Sequence, residues 1–166
     1  MSDELFAETM IKYLSTFHSE FFEKLWAKFD NNKISQIFKI YKSRIKTLKD
    51  IVNLSAFLIN DEIKYDQEAV NKHLLKDDGF GLKVLEEAGF HLSNLVWNVE
   101  NIEGVLTSFA QNKLKVGVGK VMQPIRVAVT GSTISPPIGE TLVLLGQDET
   151  VKRINNCIAT LQAAEV

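Results

Sequence analysis

Between Gly119 and Gly146 the chain reads GKVMQPIRVAVTGSTISPPIGETLVLLG, in which a lone cation, Arg126, stands before a short polar loop carrying Ser135, Pro136 and Ile138. A guanidinium is a rigid, planar fork of hydrogen-bond donors. Pro136 and Pro137 lack N–H groups, so a helix starting there has its first free donors at Ile138 and Gly139, beside a stiff loop of exposed carbonyls. Donors and acceptors fixed in this way suit the Watson–Crick edge of an unstacked base, which is how single-stranded RNA loops are read. The chemistry on offer is recognition rather than bond making, because no Ser/His/Asp set, metal cluster or pair of carboxylates converges at a recognisable spacing.

Local elements must position these groups. Pro124 fits a first helical turn, where its missing N–H costs nothing, and Gly131 fits the left-handed residue that ends a helix. Ser135 fits an N-cap with Pro136 at the first helical position, and Gly146 closes the helix that follows. On pattern alone, Ile125 to Val129 also alternates like a half-buried strand with Arg126 on its wet side. Lys115 to Lys120 superficially resembles a phosphate loop. Leu114 stands where that loop needs its first glycine and Val121 where it needs a hydroxyl, so a nucleotide site is rejected.

A second group of cations lies earlier. Lys33, Lys39, Lys42, Arg44, Lys46 and Lys49 follow one another with no Asp or Glu between them. Such a run is commonly a solvated face. Six uncompensated cations on adjacent turns also make a local positive field suited to phosphate, with Lys42 and Lys46 as candidate contacts, although the net charge is -2. Thr47 and Asp50 make an N-cap and N3 pair, so one helix is expected to end near Lys46 and the next to begin at Leu48, leaving Arg44 at the junction, able to reach a base. After Glu103 no acidic residue appears until Glu140, while Lys113, Lys115, Lys120 and Arg126 do, and Lys113 and Lys120 are further candidate phosphate contacts. From Asp61 to Glu103, by contrast, ten acidic residues stand against Lys64, Lys72, Lys76 and Lys83, a region expected to face solvent rather than RNA.

The framework reads as helices. Phe6, Met10, Leu14, Phe17, Phe21 and Leu25 form one buried stripe over residues 2–29, and Ile34, Ile37, Phe38, Tyr41, Ile45 and Leu48 a second after an N-cap among Asp30, Asn31 and Asn32. The helix from Leu48 stops at Asn60-Asp61, and a polar connector leads to Asp66, which caps the next. Further helices are expected over 67–75, 82–88 and 99–111, separated by Asp78-Gly79, by Gly89 and by the segment around Ser93 and Trp97. The last, over 149–163, is capped by Asp148, packs Val151, Ile154, Cys157, Ile158 and Leu161 inward, and leaves Lys152-Arg153 solvated. Trp26 and Trp97 read as buried anchors. With 166 residues, 45% of them hydrophobic, the chain is one globular domain or two small packed ones, divided here into residues 1–62 and 63–166.

One cysteine, Cys157, excludes an internal disulfide and reads as a small core residue of a protein in a reducing cytoplasm. No signal peptide or membrane-spanning run is present, so a soluble protein is expected. His18, His73 and His91 are too scattered to form a metal site.

Lys120-Val121-Met122-Gln123-Pro124-Ile125-Arg126-Val127-Ala128-Val129-Thr130-Gly131, then Ser135-Pro136 and Glu140 to Gly146, resemble the C-terminal anticodon-binding domain of bacterial glutamyl-tRNA synthetases, whose pattern is Gly-Lys-x-x-x-Pro-Leu-Arg-x-Ala-Leu-Thr-Gly, a polar loop, Ser/Thr-Pro and Leu-x-x-Leu-Gly. The match is strong over Val116 to Ala159, moderate over Tyr41 to Asp66 and weak elsewhere. The resemblance implies helix rather than strand at Arg126, and an all-α fold of two small packed helical subdomains that holds the anticodon loop of glutamate tRNA between them. By position it implies that Arg44 faces the last anticodon base, that Arg126 lies near the anticodon, and that Ser135, Pro136 and Ile138 belong to the loop reading the central U. The sequence departs from the pattern at Pro137 and Gly139, and at Thr107, where some relatives carry a basic residue.

The resemblance places ATP and magnesium in a separate catalytic domain whose motifs have no counterpart here. This chain alone is therefore expected to bind no cofactor or metal and to make no glutamyl-adenylate. Its expected partners are glutamate tRNA and that catalytic domain, with no membrane, and it is expected to be a monomer. An excised fragment is preferred over a free-standing relative. The alternative is a helical protein-interaction module whose partner face is the acidic region from Asp61 to Glu103.

Overall fold

The computed structural model describes residues 1–164, and among these every regular element is a helix, as the all-α expectation requires. The chain forms two compact units, Met1–Asp61 and the remainder from Glu62.

In the first unit, α1 (Asp3–Phe17) is capped by the Ser2 hydroxyl, which accepts the Leu5 N–H at 3.1 Å. The single stripe expected over residues 2–29 is broken. His18 leaves the helical region (φ -139°, ψ 52°), its Nε2 meets the Tyr13 hydroxyl at 3.1 Å, and α2 (Ser19–Lys28) folds back on α1. Phe6, Met10, Leu14, Phe21 and Leu25 are buried as the periodicity demands, but Phe17, at the break, is 70% exposed. Trp26 is only half-buried and stacks on Phe22, with 4.1 Å between ring centroids.

Asp30 caps α3 (Asn31–Lys42) by accepting the Lys33 N–H at 2.8 Å, and Ile34, Ile37, Phe38 and Tyr41 carry its buried face. The Tyr41 hydroxyl donates to the Leu54 carbonyl at 2.9 Å, and burial pushes its phenol above the ordinary range. The helix ends four residues before the expected Lys46, because Arg44 and Ile45 both turn their N–H groups onto the Tyr41 carbonyl. Thr47 is not an N-cap, since α4 (Asp50–Ile59) starts at Asp50. Half of the expected capping box survives: the Asp50 carboxylate reaches back to the N–H groups of Thr47 (2.8 Å) and Lys46 (2.9 Å), which hold it below the usual carboxylate range.

In the second unit, Asp66 caps α5 (Gln67–Val70) through the Glu68 N–H, and the helix continues as a π-helical turn over Asn71–Leu75. α6 (Lys76–Ser93) contains three consecutive left-handed residues, Asp77, Asp78 and Gly79 (φ 56°, 56° and 73°), so its straight part begins after them. Gly89 does not interrupt it as expected. It is buried against α10, with room for a side chain atom 3.7 Å from Ile154, and a helix packed this way tolerates glycine. α7 (Val99–Ser108) runs into a second π turn, Phe109–Leu114, that closes on left-handed Lys115 (φ 58°). α8 (Gly119–Thr130), α9 (Ile138–Leu145) and α10 (Gln147–Ala164) complete the chain.

The helix α10 packs on α6, α8 and α9. It starts directly after Gly146, so Asp148 lies inside its first turn rather than capping it. Ile154 and Cys157 are buried, with Val151, Ile158 and Leu161 half-buried. Arg153, expected in solvent, is an internal strut 3% exposed. Its Nε donates to Glu149 Oε1 at 2.9 Å and its Nη1 to the Val129 carbonyl at 2.8 Å, joining α10 to α8. Cys157 hydrogen-bonds with Tyr65, and burial pushes its thiol up to about 11, so it is a core group and not a nucleophile. Trp97 is half-buried and donates from Nε1 to the Leu142 carbonyl at 3.0 Å. Among the described residues no helix is long and apolar enough to cross a membrane.

Candidate nucleic-acid interface

Helix α8 positions Arg126, and it does so from an earlier start than the sequence suggests. Pro124 is the sixth residue of α8, not part of its first turn. Val121, Ile125 and Ala128 lie on one fully buried stripe, so the apolar period carries the helix back past the proline to Gly119. Pro124 has no N–H to give the Lys120 carbonyl, a loss that burial of this stripe must offset. The strand alternative at Ile125 to Val129 is excluded, because Val127, Ala128 and Val129 are all buried in succession within a helix.

Gly131 ends α8 as expected, in the left-handed region (φ 79°, ψ -1°), with its N–H on the Val127 carbonyl at 2.8 Å. It is also a point of close approach. Its carbonyl accepts the Asp66 N–H at 2.8 Å, and a Cβ there would lie 2.1 Å from the Lys64 carbonyl oxygen. The Thr130 hydroxyl then accepts the Ser132 N–H (3.1 Å), and Ser132 Oγ accepts the Ile134 N–H (3.1 Å), which folds the polar loop tightly on itself.

Ser135 is not the N-cap of α9. With prolines at 136 and 137 the first backbone donors are missing, α9 starts at Ile138, and Pro137 holds the cap position without a side-chain bond. The Ser135 hydroxyl instead donates to the Pro136 carbonyl at 2.7 Å and accepts Nε–H of Arg126 at 2.8 Å. The cation is thereby braced edge-on. Arg126 is half-buried, which lowers its pKa, yet a guanidinium remains charged, and its two outer nitrogens meet no partner among the described residues. Pro136 and Ile138 are buried, so what Ile138 can present to a ligand is backbone, while the Pro136 carbonyl already accepts from the hydroxyls of Ser135 and Thr141. Sequence reasoning passed over Ile134, 66% exposed in the same loop. A large apolar residue inside the polar run Ser132-Thr133-Ile134-Ser135 was the available signal.

In the first unit, Arg44 lies exposed on the turn between α3 and α4, and its Nη1 donates to the Ile40 carbonyl. Lys46 is exposed nearby. The basic run is not uncompensated. Asp3 of α1 accepts from Lys42 Nζ at 2.8 Å and stands 3.9 Å from Lys39, and Lys42 also donates to the Met1 carbonyl at 2.6 Å. The Lys42 ammonium holds the Asp3 carboxyl below its ordinary range.

The candidate cations of the second unit are divided too. Lys113 is paired with Glu87. Lys120, Gln123 and Pro124 share a face of α8 that does not include Arg126, and this face lines a cavity of about 360 Å³ with Lys72, His73, Lys76 and Asp77. The region from Asp61 to Glu103, expected to face solvent rather than RNA, places two of its lysines in the same lining as Lys120. Among the described residues no group of three or more His, Cys, Asp or Glu side chains is arranged to hold a metal ion.

Fold and site together describe an all-helical module that offers a braced arginine and a stiff proline loop to a ligand. The family pattern described as an anticodon binding domain matches residues 5–158, and the chain belongs to that family. It is 40% identical to a glutamate–tRNA ligase of Myxococcus xanthus (strain DK1622) over 125 residues, 74% of this chain and 25% of that protein. It is 37% identical over 133 residues to glutamate–tRNA ligase 2 of Halorhodospira halophila (strain DSM 244 / SL1), 80% of this chain and 26% of that protein. A glutamate tRNA ligase structure from Elizabethkingia meningosepticum CCUG26117, in complex with its amino acid, superposes with a TM-score of 0.80 at 26% identity, covering 97% of this chain and 30% of that one. The chain therefore spans about a quarter of the length of the curated relatives it matches.

Proposed function

We propose that this chain is the anticodon-reading part of a glutamyl-tRNA synthetase, acting in the cytoplasm as a monomeric module. It binds glutamate tRNA through the anticodon loop and works with a catalytic domain that uses ATP and magnesium to attach glutamate. The chain itself takes no cofactor and no metal. The observation that carries this reading is the Arg126 Nε to Ser135 Oγ hydrogen bond of 2.8 Å, which holds the guanidinium beside the loop of Pro136 and Ile138 while its two outer nitrogens have no partner among the described residues. Donors held in place before binding read a base without a further ordering cost.

Arg126 and the loop of Ser135, Pro136 and Ile138 read the anticodon. Arg44 faces its last base. Cytosine, the glutamate identity, offers O2 and N3 acceptors to a guanidinium, whereas guanine, the glutamine identity, presents N–H donors on the same edge and is repelled. Lys46 and Lys120 touch phosphate. Lys42 and Lys113 contribute less, because each must first leave a carboxylate partner.

The test is tRNA binding by the chain and by Arg126→Gln at two salt concentrations. A contact to a base edge is worth roughly 1–3 kcal/mol, so the variant is expected to bind about 10- to 100-fold more weakly, with the salt dependence nearly unchanged. Equal affinities for variant and parent would remove Arg126 from the interface.

A further inference from the structure

The second unit holds a pocket of which the anticodon reading uses only Lys120. The π turn of α5, the left-handed start of α6 and the first turns of α8 line an open pocket of about 360 Å³, with Lys72, His73, Lys76, Asp77, Lys120 and Gln123 in its lining. Its wall is close-fitting, since α6 presses onto the π turn at Gly81, where a Cβ would stand 1.9 Å from the His73 carbonyl oxygen. The lining thus holds three lysines and one carboxylate, Asp77. None of Lys72, Lys76 and Lys120 has an ion-pair partner among the described residues.

His73 is held below the usual imidazole value first by burial and then by the Lys72 and Lys120 charges. Gln123, on the α8 wall, has a buried Oε1 with no hydrogen-bond partner. Interchanging its amide oxygen and nitrogen would supply a further donor. Three lysines set against a single carboxylate suit a compact oxyanion.

We propose that this cavity is a phosphate site, bound through Lys72, Lys76 and Lys120, with His73 adding a donor when protonated. Its natural occupant is a backbone phosphate of the bound RNA, a contact that fixes the RNA without reading sequence. That source rests on the tRNA reading above, whereas the phosphate chemistry does not.

The test follows the His73 ring by NMR in the whole chain, which has only three histidines to resolve. Inorganic phosphate is compared with chloride at equal ionic strength, and an anticodon stem-loop RNA forms a second arm. Phosphate is expected to raise the His73 midpoint by about one pH unit, because an anion stabilises the imidazolium. The Lys72→Ala/Lys120→Ala variant, at two exposed positions, is expected to raise the midpoint before any anion is added and to abolish the phosphate shift. A shift by the RNA as well assigns the site to its backbone, and a shift by inorganic phosphate alone assigns it to a free phosphate compound. The same midpoint in phosphate and chloride, or a shift that persists in the double variant, would overturn the site. Lys120→Ala is also expected to weaken tRNA binding equally whatever the anticodon, so that failure here and failure of anticodon reading are told apart.

Discussion

Arg44 and Arg126 are the two arginines proposed to meet RNA, and the two units hold them differently. Arg126 is half-buried on the inner turn of α8, with its Nε fixed by Ser135 across a loop that is itself hydrogen-bonded at Thr130 and Ser132. Arg44 is exposed on the turn after α3, where Nη1 donates to the carbonyl of Ile40 in the last turn of that helix. Ordering a long side chain on binding costs about 0.5–1.5 kcal/mol, so the brace on Arg126 lets it keep more of its contact energy than it would without Ser135. Arg126 suits tight, geometry-dependent reading. Arg44 suits discrimination by charge and donor pattern, where adaptability matters. Arg153 marks the far end of the series: fully buried between Glu149 and the Val129 carbonyl, it holds α10 to α8 and is closed to any ligand.

The largest expected effect removes the frame of the Arg126 loop. Gly131→Ala places a side chain on a left-handed residue and 2.1 Å from the Lys64 carbonyl oxygen, and is expected to cost about 3 kcal/mol in urea unfolding of the second unit. Next comes Arg153→Met, which removes the buried hydrogen bonds to Glu149 and to the Val129 carbonyl. It is expected to cost about 2 kcal/mol, while Arg126→Gln in the same assay costs less than about 1 kcal/mol. If the two arginine variants were equally destabilised, the distinction between strut and reader would fail. Ser135→Ala sharpens the contrast between the units, because it leaves Arg126 in place without its brace; tRNA affinity is expected to fall about 3- to 10-fold, with the solvent-held Arg44 unaffected.

The smallest effect concerns the Arg44 turn. The folded pKa of Asp50 is depressed by the N–H groups of Thr47 and Lys46, so its contribution to stability is complete above the ordinary aspartate value of about 3.9 and is lost as pH falls through the lower folded value. Asp50→Ala is expected to lower the stability of the first unit at neutral pH and to remove that acid-side slope, readable by urea unfolding between pH 5 and pH 2, roughly the window of carboxylate titration.

Much of this was legible in the chain because it is local. Asp30 and Asp66 cap the helices they precede, Gly131 and Gly146 end α8 and α9, and the apolar steps from Phe6 to Leu25 and from Ile34 to Tyr41 mark the buried faces. What was misread depends on partners distant in sequence. Ser135 caps nothing because Arg126, nine residues earlier, takes its hydroxyl. Pro124 lies deep in α8 because buried Val121 extends the helix past it. Counting charge along the chain missed Asp3 against Lys42, and it assigned Lys72 and Lys76 to an acidic stretch although folding brings them to Lys120. The break at His18 and the left-handed run at Asp77 to Gly79 had no comparable sequence mark beyond Asp78-Gly79 itself.

The most direct measurement is the ratio of affinities of this chain for glutamate tRNA and for the same tRNA with the last anticodon base changed from C to G, taken for the parent and for Arg44→Gln. The parent is expected to prefer C by about tenfold or more, and Arg44→Gln to narrow that preference. Equal binding of both RNAs by the parent, or no binding of either, would contradict anticodon reading. It would leave the family and the fold standing and move the function to a protein-interaction module whose partner meets the acidic region from Asp61 to Glu103.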